Sequence, residues 1–252
     1  MISGSIAERI AACACERALD RRIEEIRIGL CYVAVVDDQG GMGIAAVLPE
    51  SFQDCRAIKG SGFTGKKASE VIRLLAGGET TLERTLGLAC ANAVLNGTID
   101  APEQDALDLI RLSGRDHVCM VGRFPPLVSR VEQTGASLSI LEKDPSRGGI
   151  IDPDEQDAAL ARCTVAIITA TTIINGTLEH VLGRLAGPRH VALLGPSTPL
   201  CPEAFQGTPI NHIGGSIVKD PGQVLRVVSE AGGTPVLRPY LKFVNLFIKG
   251  DP

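Results

Sequence analysis

The sequence predicts an α/β protein in which a smaller α+β domain precedes a domain built on a parallel sheet. In the first hundred residues, helical patterns surround one β-hairpin, which is typical of an α+β unit. After residue 100, short and nearly continuous apolar runs alternate with amphipathic segments. This pattern indicates parallel strands covered by helices on both faces. We therefore predict two domains, 1–100 and 101–252.

The first domain contains two helix starts with capping-box spacing. Ser5 with Glu8, and Thr80 with Glu83, place a hydroxyl and a carboxylate three residues apart, so each can bond the other's backbone N–H. Asn96-Gly97 predicts a left-handed cap at the end of the second of these helices. The predicted elements are a helix to about Arg22, strands over 26–36 and 42–48 that form a hairpin, and helices over 67–76 and 81–95.

The second domain repeats a strand-then-helix pattern. Asp100 and Glu103 predict the start of a short helix through Ile110 that leads into this domain. Asp220-Pro221 is a further helix start, because aspartate is a good cap and proline suits the first helical position. The predicted strands lie at 118–121, 138–141, 165–169, 191–194 and 210–218, and the predicted helices at 127–133, 156–160, 177–184 and 224–231.

The tail over 239–248 holds three aromatic residues. Leu241, Val244 and Ile248 have helical spacing, so we predict a helix that is too short to span a bilayer. Two interpretations remain open for it. It is either a closing element packed on the core or a contact in a homodimer, since exposed apolar patches usually mark interfaces.

Composition and charge exclude several classes of protein. The net charge of -4 and the pI of about 5.6 argue against a broad nucleic-acid surface. No apolar run reaches the length of a membrane span, and the N-terminus lacks the pattern of a secretion signal. Eight scattered cysteines without a CxxC pair indicate reduced thiols rather than disulfides or structural zinc. We expect a cytoplasmic protein.

Four loops follow predicted strands of the second domain and carry polar or small residues. Because the carboxyl ends of parallel strands meet at one edge of a sheet, we expect these loops to form a ligand crevice. No nucleophile elbow, HExxH motif or Ser-His-Asp set is visible, so no catalytic residue is predicted. The predicted ligand-binding residues are Gly122, Arg123, Phe124, Pro125, Glu142, Asp144, Thr171, Thr172, Asn175, Gly176, Thr177, Gly195, Ser197 and Thr198. His180 and Cys201 are the candidate metal ligands.

The crevice favours some ligands over others. Glu142 follows Gly122 by the spacing at which dinucleotide sites place a ribose-binding acid. Pro125 and Pro126, however, remove two backbone N–H donors that a pyrophosphate would need. NAD is therefore disfavoured, whereas a ligand with a ribose but no pyrophosphate, or a small chelate, fits. Thr177 is a predicted helix cap, and the hydroxyls around it suit an anion or a sugar hydroxyl.

The loop over 59–67 is rich in glycine and lysine. It is either an anion-binding nest or a solvated loop. It does not match a P-loop, because Lys67 stands where that motif needs serine or threonine.

Four motifs, at 122–128, 142–145, 171–179 and 194–200, resemble the family named "Putative heavy-metal chelation". The resemblance covers about 110–235. It implies a Rossmann-like domain that follows a smaller domain similar to the N-terminal domain of enolase, with 87–93 resembling the final helix of the smaller domain. It also implies a site between the domains for a metal ion or a metal chelate. Arg123 departs from the uncharged residue that is commoner in the family, which favours an anionic ligand.

Three hypotheses follow about function. The first is a protein that binds a metal ion or a small anionic metal chelate in a crevice between the domains. The alternative is an enzyme with a nucleoside-containing cosubstrate such as S-adenosylmethionine, based on the position of Glu142. The third is an interaction module, based only on the aromatic tail.

Overall fold

The computed structural model describes residues 4–52, 62–142 and 155–248. In these ranges the chain forms a three-stranded antiparallel sheet and a six-stranded, mostly parallel sheet. Helices pack on both sheets. The predicted α/β class is therefore confirmed. None of the helices within these ranges is both long and apolar enough to cross a bilayer.

The first half of the chain forms the antiparallel sheet and the helices beside it. Both predicted capping boxes are present: Ser5 Oγ accepts from Glu8 N at 3.2 Å, and Thr80 Oγ1 accepts from Glu83 N at 3.1 Å. The elements are α1 (Ile6–Ala18), β1 (Ile23–Ile28), β2 (Tyr32–Asp37), β3 (Met42–Ala46), α2 (Ala68–Ile72), α3 (Leu74–Gly77) and α4 (Thr81–Leu95).

Two predictions for this half are wrong. The segment 26–36 is not one strand, because Gly29 N donates to Tyr32 O at 2.9 Å and turns the chain from β1 into β2. Asn96 is not in a left-handed cap: its φ of -78° and ψ of -32° continue α4 into a short 3-10 helix, Asn96–Thr98. The predicted hairpin is confirmed as β2 and β3.

The six-stranded sheet has the strand order β5-β4-β6-β7-β8-β9. Its first five strands are parallel, and β9 is antiparallel to β8. The elements are α5 (Ala106–Ile110), β4 (His117–Val121), α6 (Pro125–Gln133), β5 (Ser137–Leu141), α7 (Gln156–Arg162), β6 (Val165–Thr169), α8 (Thr171–Ile174), α9 (Leu178–Gly183), β7 (His190–Leu194), β8 (His212–Val218), α10 (Pro221–Ser229), α11 (Thr234–Leu237) and β9 (Leu241–Phe247).

The predicted strands of this half are confirmed, but two other predictions are wrong. The tail is not a helix: it forms β9, which pairs with β8 along its whole length. The helix before the sheet is not capped by Asp100 and Glu103. It starts later, where Asp105 Oδ1 accepts from Leu107 N at 2.9 Å. The cap at Asp220 is confirmed, since its carboxylate accepts from Gln223 N at 3.0 Å.

Helix α4 lies at the centre of the molecule. Thirteen of its 15 residues are buried, so it has almost no solvent face. Gly43 of β3 allows close packing, because a Cβ there would lie 2.2 Å from Ala93 N. The largest hydrophobic cluster contains residues from both halves of the chain. The division at residue 100 stays a prediction.

The described part of the glycine- and lysine-rich loop runs beside the start of β1. Gly65 N donates to Ile23 O at 2.8 Å, and Ile23 N donates to Lys66 O at 2.9 Å. Residues 59–61 of this loop lie outside the described residues. An anion-binding nest here stays a prediction.

Candidate functional site

Several of the predicted loops meet at the carboxyl edge of the six-stranded sheet. Arg123 N donates to Glu142 Oε2 at 3.1 Å, which joins the loops after β4 and β5. Gly122 has a φ of +80°, and a Cβ there would lie 2.6 Å from Thr169 Cγ2, so this turn requires glycine. A Cβ added at Gly195 would lie 3.9 Å from Phe124 Cε1, so these two loops are also close together. The loops after β4, β5, β6 and β7 therefore converge.

The predicted residues after β6 are only partly directed to this edge. Thr171 Oγ1 lies 3.1 Å from Thr169 Oγ1, and both residues are half-buried there. Thr172 is buried, and its hydroxyl donates to Thr169 O at 2.7 Å. The region over 171–174 is the helix α8 rather than a loop.

Asn175, Gly176 and Thr177 form a self-contained turn between α8 and α9. Asn175 Oδ1 accepts from Thr177 N at 3.1 Å and from Thr177 Oγ1 at 2.7 Å. The predicted side-chain cap by Thr177 is therefore wrong, since its hydroxyl is bonded to Asn175 and not to the start of α9. Gly176 is exposed with a φ of +70°, and ligand binding by the three residues stays a prediction.

Ser197 and Thr198 contact residues of the first half of the chain, and ligand binding by them stays a prediction. Ser197 Oγ accepts from Ala46 N at 2.8 Å, and Ser197 O accepts from Asn92 Nδ2 at 3.0 Å. Thr198 is fully buried, and its carbonyl accepts from Asn96 Nδ2 at 3.1 Å. These residues hold α4 and β3 against the loop after β7.

The remaining predicted residues differ in position. Pro125 is exposed at the first position of α6, and its ring leaves no N–H for a ligand. His180 lies on an exposed part of α9, and Asp144 lies outside the described residues. Ligand binding by these residues stays a prediction.

A second cluster lies where α1 meets the loop after β7. The sulfur atoms of Cys13 and Cys201 and a carboxylate oxygen of Glu203 all lie within 4.8 Å of one another. Cys201 is fully buried, whereas Cys13 and Glu203 are half-buried. Among the described residues, this is the group of three side chains with the composition and spacing of a metal site. We call it the thiol cluster.

The thiol cluster is held by contacts on both sides of it. At the start of α1, Ile6 N donates to Glu179 Oε1 at 2.8 Å. One turn further, Arg9 Nη1 donates to Gln206 O at 2.8 Å. Beyond Cys13, Arg17 forms an ion pair with Glu203 itself. Helix α1 is thus held against α9 at its start and against the segment that carries Cys201 further along.

Burial controls the charge of the two sulfurs. It raises the pKa of the Cys201 thiol, and the neighbouring Cys13 adds to the shift. Burial also raises the pKa of the Cys13 thiol, although a hydrogen bond with Cys201 opposes the shift. Both side chains are therefore neutral thiols at neutral pH when no metal ion is bound.

The donor set fits a metal ion. Around an ion with metal–sulfur distances of about 2.3 Å, three ligands in a plane lie about 4 Å apart. The limit of 4.8 Å within the thiol cluster is compatible with that spacing. Two sulfurs and one oxygen suit thiophilic ions better than Mg²⁺ or Ca²⁺, which prefer oxygen.

Only one of the three residues of the thiol cluster is a candidate metal ligand from the sequence. Cys201 is a predicted metal ligand, whereas the sequence pattern of α1 presents Cys13 as a core residue, and Glu203 carries no motif. Cys13 is distant in the sequence from Cys201 and Glu203, and only the docking of α1 brings the three side chains together. No local spacing could have indicated the cluster.

Comparisons with known proteins agree with the fold. An uncharacterized protein of Methanocaldococcus jannaschii is 26% identical over 249 residues, which cover 94% of this chain and 95% of that protein. A crystal structure of a Pyrococcus horikoshii protein of unknown function from the DUF364 family has a TM-score of 0.84 at 23% identity, covering 97% of this chain and 100% of that chain. A DUF364 protein of unknown function from Desulfitobacterium hafniense has a TM-score of 0.81 at 23% identity, with 96% and 97% covered.

Two family models match the sequence directly. The DUF364 model matches residues 105–247 and the DUF4213 model matches residues 11–95, and both are described as "Putative heavy-metal chelation". The first match alone covers more than half of the chain. The predicted resemblance is confirmed, and this chain belongs to the family described as "Putative heavy-metal chelation".

Proposed function

We propose that this protein binds a thiophilic metal ion through the thiol cluster, with Cys13, Cys201 and Glu203 as ligands. The observation that carries the proposal is the approach of two sulfurs and a carboxylate oxygen to within 4.8 Å, from parts of the chain far apart in sequence. The description of the family supports the same kind of ligand.

The surroundings of Cys201 favour a fixed site over an accidental contact. Cys201 precedes the 3-10 helix Pro202–Phe205, and its carbonyl accepts from Ala204 N at 3.1 Å. Pro202, the first residue of this 3-10 helix, restricts the backbone next to Cys201. Full burial of Cys201 further restricts the position of its sulfur. A ligand that is already held in place loses little freedom when it binds an ion, so binding is stronger.

Glu203 is suited to serve both Arg17 and a metal ion. A carboxylate has two oxygens with several acceptor positions. One oxygen of Glu203 can therefore keep the ion pair with Arg17 while the other coordinates the metal ion. The positive charge of Arg17 then balances the carboxylate, and two thiolates balance a divalent ion. Such a centre is close to electrically neutral, which limits the cost of its burial.

Cadmium binding tests this proposal, because cadmium thiolates have a characteristic ultraviolet absorption. Reduced protein prepared without a metal-binding tag is titrated with Cd²⁺, and the stoichiometry is measured by native mass spectrometry. The wild type should bind one ion through the cluster, whereas Cys13→Ser and Cys201→Ala should lose the absorption band. Cys15→Ser is the matched control, since Cys15 is a half-buried thiol of α1 outside the cluster. Equal absorption in all four proteins would refute the proposal.

A second candidate function uses the crevice at the carboxyl edge of the sheet. The observation that favours it is the bond from Arg123 N to Glu142 Oε2, which places a carboxylate beside the glycine turn after β4. A small ligand with ribose hydroxyls, such as S-adenosylmethionine, or an anionic metal chelate would use this edge. Equilibrium dialysis with S-adenosylmethionine tests it, and unchanged binding to Glu142→Ala would rule out the role of Glu142.

A further inference from the structure

We propose that Cys13 and Cys201 form a reversible disulfide bond that closes the thiol cluster to metal ions. The effect on metal binding rests on the proposed function, whereas formation of the bond itself does not. The structural basis is that the two sulfurs are neighbours that lie within 4.8 Å of each other.

This contact differs from the contacts of four other cysteine side chains. Four further thiols in the described ranges each donate to a backbone carbonyl, at distances from 3.2 to 3.7 Å, and so have a partner other than sulfur. These thiols belong to Cys15, Cys31, Cys90 and Cys163. The sulfurs of Cys13 and Cys201 instead lie within 4.8 Å of each other, so the two atoms that would react are side by side.

The sulfurs need only a short approach to form the bond. A disulfide has a sulfur–sulfur distance of about 2.0 Å. From a separation of at most 4.8 Å, rotation of the half-buried Cys13 side chain brings its sulfur towards that of Cys201. The contacts of Ile6, Arg9 and Arg17 keep α1 beside Cys201 while this happens.

Hydrogen peroxide is a sufficient oxidant, and it is small enough to reach the half-buried Cys13. The small fraction of Cys13 that has lost its proton to solvent attacks one peroxide oxygen as a thiolate. The O–O bond breaks, Cys13 becomes a sulfenic acid, and the leaving hydroxide takes up a proton to become water. The Cys201 sulfur then attacks the Cys13 sulfur, the S–O bond breaks, and a second water leaves as the disulfide forms. Two thiols are oxidised and one peroxide is reduced to two waters. A dithiol such as dithiothreitol reverses the reaction by exchange.

The bond would remove two of the three metal ligands at once. A disulfide has no thiolate to offer, so only Glu203 remains, and it is paired with Arg17. Oxidation therefore releases a bound ion, and a bound ion protects both sulfurs from oxidation. The thiol cluster is in this way a metal site that responds to redox conditions.

Peroxide treatment followed by non-reducing electrophoresis and peptide mapping tests the inference. The wild type and Cys15→Ser should lose two hydrogens in mass, migrate faster, and yield a peptide pair that joins residues 13 and 201. Dithiothreitol should restore the original form. Cys13→Ser and Cys201→Ala should not give this pair, and circular dichroism checks that both variants are folded. A saturating amount of Cd²⁺ should slow the reaction at least tenfold.

The outcomes separate this inference from the proposed function. If Cd²⁺ binds but peroxide only adds oxygen atoms or joins other cysteines, the redox inference is refuted and the metal site stands. If the disulfide joins residues 13 and 201 but the reduced protein binds no Cd²⁺, the proposed function is refuted and only the disulfide stands. Equal Cd²⁺ binding before and after disulfide formation would refute closure of the site.

Discussion

Two buried asparagines, Asn92 in α4 and Asn96 directly after it, give a direct test of how the halves of the molecule are joined. Asn96 Nδ2 donates to Thr198 O and Ser216 O, each at 3.1 Å, and its Oδ1 accepts from Leu200 N at 2.8 Å. Every polar group of this side chain therefore has a partner. Asn92 Nδ2 donates to Ile44 O at 2.9 Å and to a second carbonyl at 3.0 Å, but its Oδ1 has no partner.

Replacement of each by alanine should destabilise the protein by different amounts. Asn96→Ala leaves three buried groups without partners, at about 1–3 kcal/mol each before relaxation, so we expect a loss of about 4 kcal/mol. Asn92→Ala leaves two such groups, but it also removes the unpaired Oδ1. We therefore expect a smaller loss of about 2 kcal/mol.

Urea denaturation followed by circular dichroism measures both free energies of unfolding. Gln133→Ala, at the exposed end of α6, is the control and should change the free energy by less than about 0.5 kcal/mol. A loss for Asn92→Ala as large as that for Asn96→Ala would contradict the reasoning. A loss below about 1 kcal/mol for Asn96→Ala would also contradict the reasoning, because about 1 kcal/mol is the net contribution of a single hydrogen bond.

Further predictions concern pH and the glycine turn. Burial, helped by the neighbouring His212, lowers the pKa of His190 to about 4, so the unfolded chain takes up the proton more readily than the folded one. The contribution of His190 to the free energy of unfolding is therefore complete above about pH 6.5, and about 2–3 kcal/mol is lost as the pH falls towards 4. In His190→Asn, the midpoint of urea denaturation should depend less on pH over that range. The same pH dependence as in the wild type would exclude His190 as the cause. Gly122→Ala should lower stability by about 2 kcal/mol, because its Cβ would meet Thr169 at a φ of +80°. Gly176→Ala, with open space at a φ of +70°, should cost only about 1 kcal/mol, and thermal melts that rank the two in the opposite order would count against this explanation.

Much of the fold could be predicted from the sequence, because its signals are local. The capping boxes at Ser5 and Thr80 need only residues three positions apart, and both are confirmed. The strands of the parallel sheet are short apolar runs that are buried on both faces, so their positions are readable without knowledge of their neighbours.

The tail shows where local signals mislead. Leu241 and Val244 have the spacing of a helical face, yet both are buried in β9. The partner of this segment is β8, whose full length pairs with it from Val218 to His212. Long-range strand pairing overrides the local pattern here, and the sequence of the tail holds no information about β8.

The candidate site could be predicted only in part, for a related reason. Glycine turns at strand ends are local, so the converging loops at Gly122 and Gly195 were predictable. The direction in which a hydroxyl points is not determined by the neighbouring sequence. The Ser197 hydroxyl contacts Ala46 because α4 and β3 dock against the loop after β7. The meeting of Cys13 and Cys201 likewise depends on how α1 packs, which no motif encodes.

The burial of α4 has a consequence for the order in which the chain is made. A ribosome completes α4 long before it makes residues 174–216, yet Arg84 donates to Ile174 O at 2.7 Å, and Asn96 bonds the loop after β7 and the strand β8. Before residues 174–216 have been synthesised, the polar and apolar groups on one side of α4 lack their partners. We expect the emerging first half to stay only partly ordered, and to become fully ordered when β7 and β8 have been synthesised.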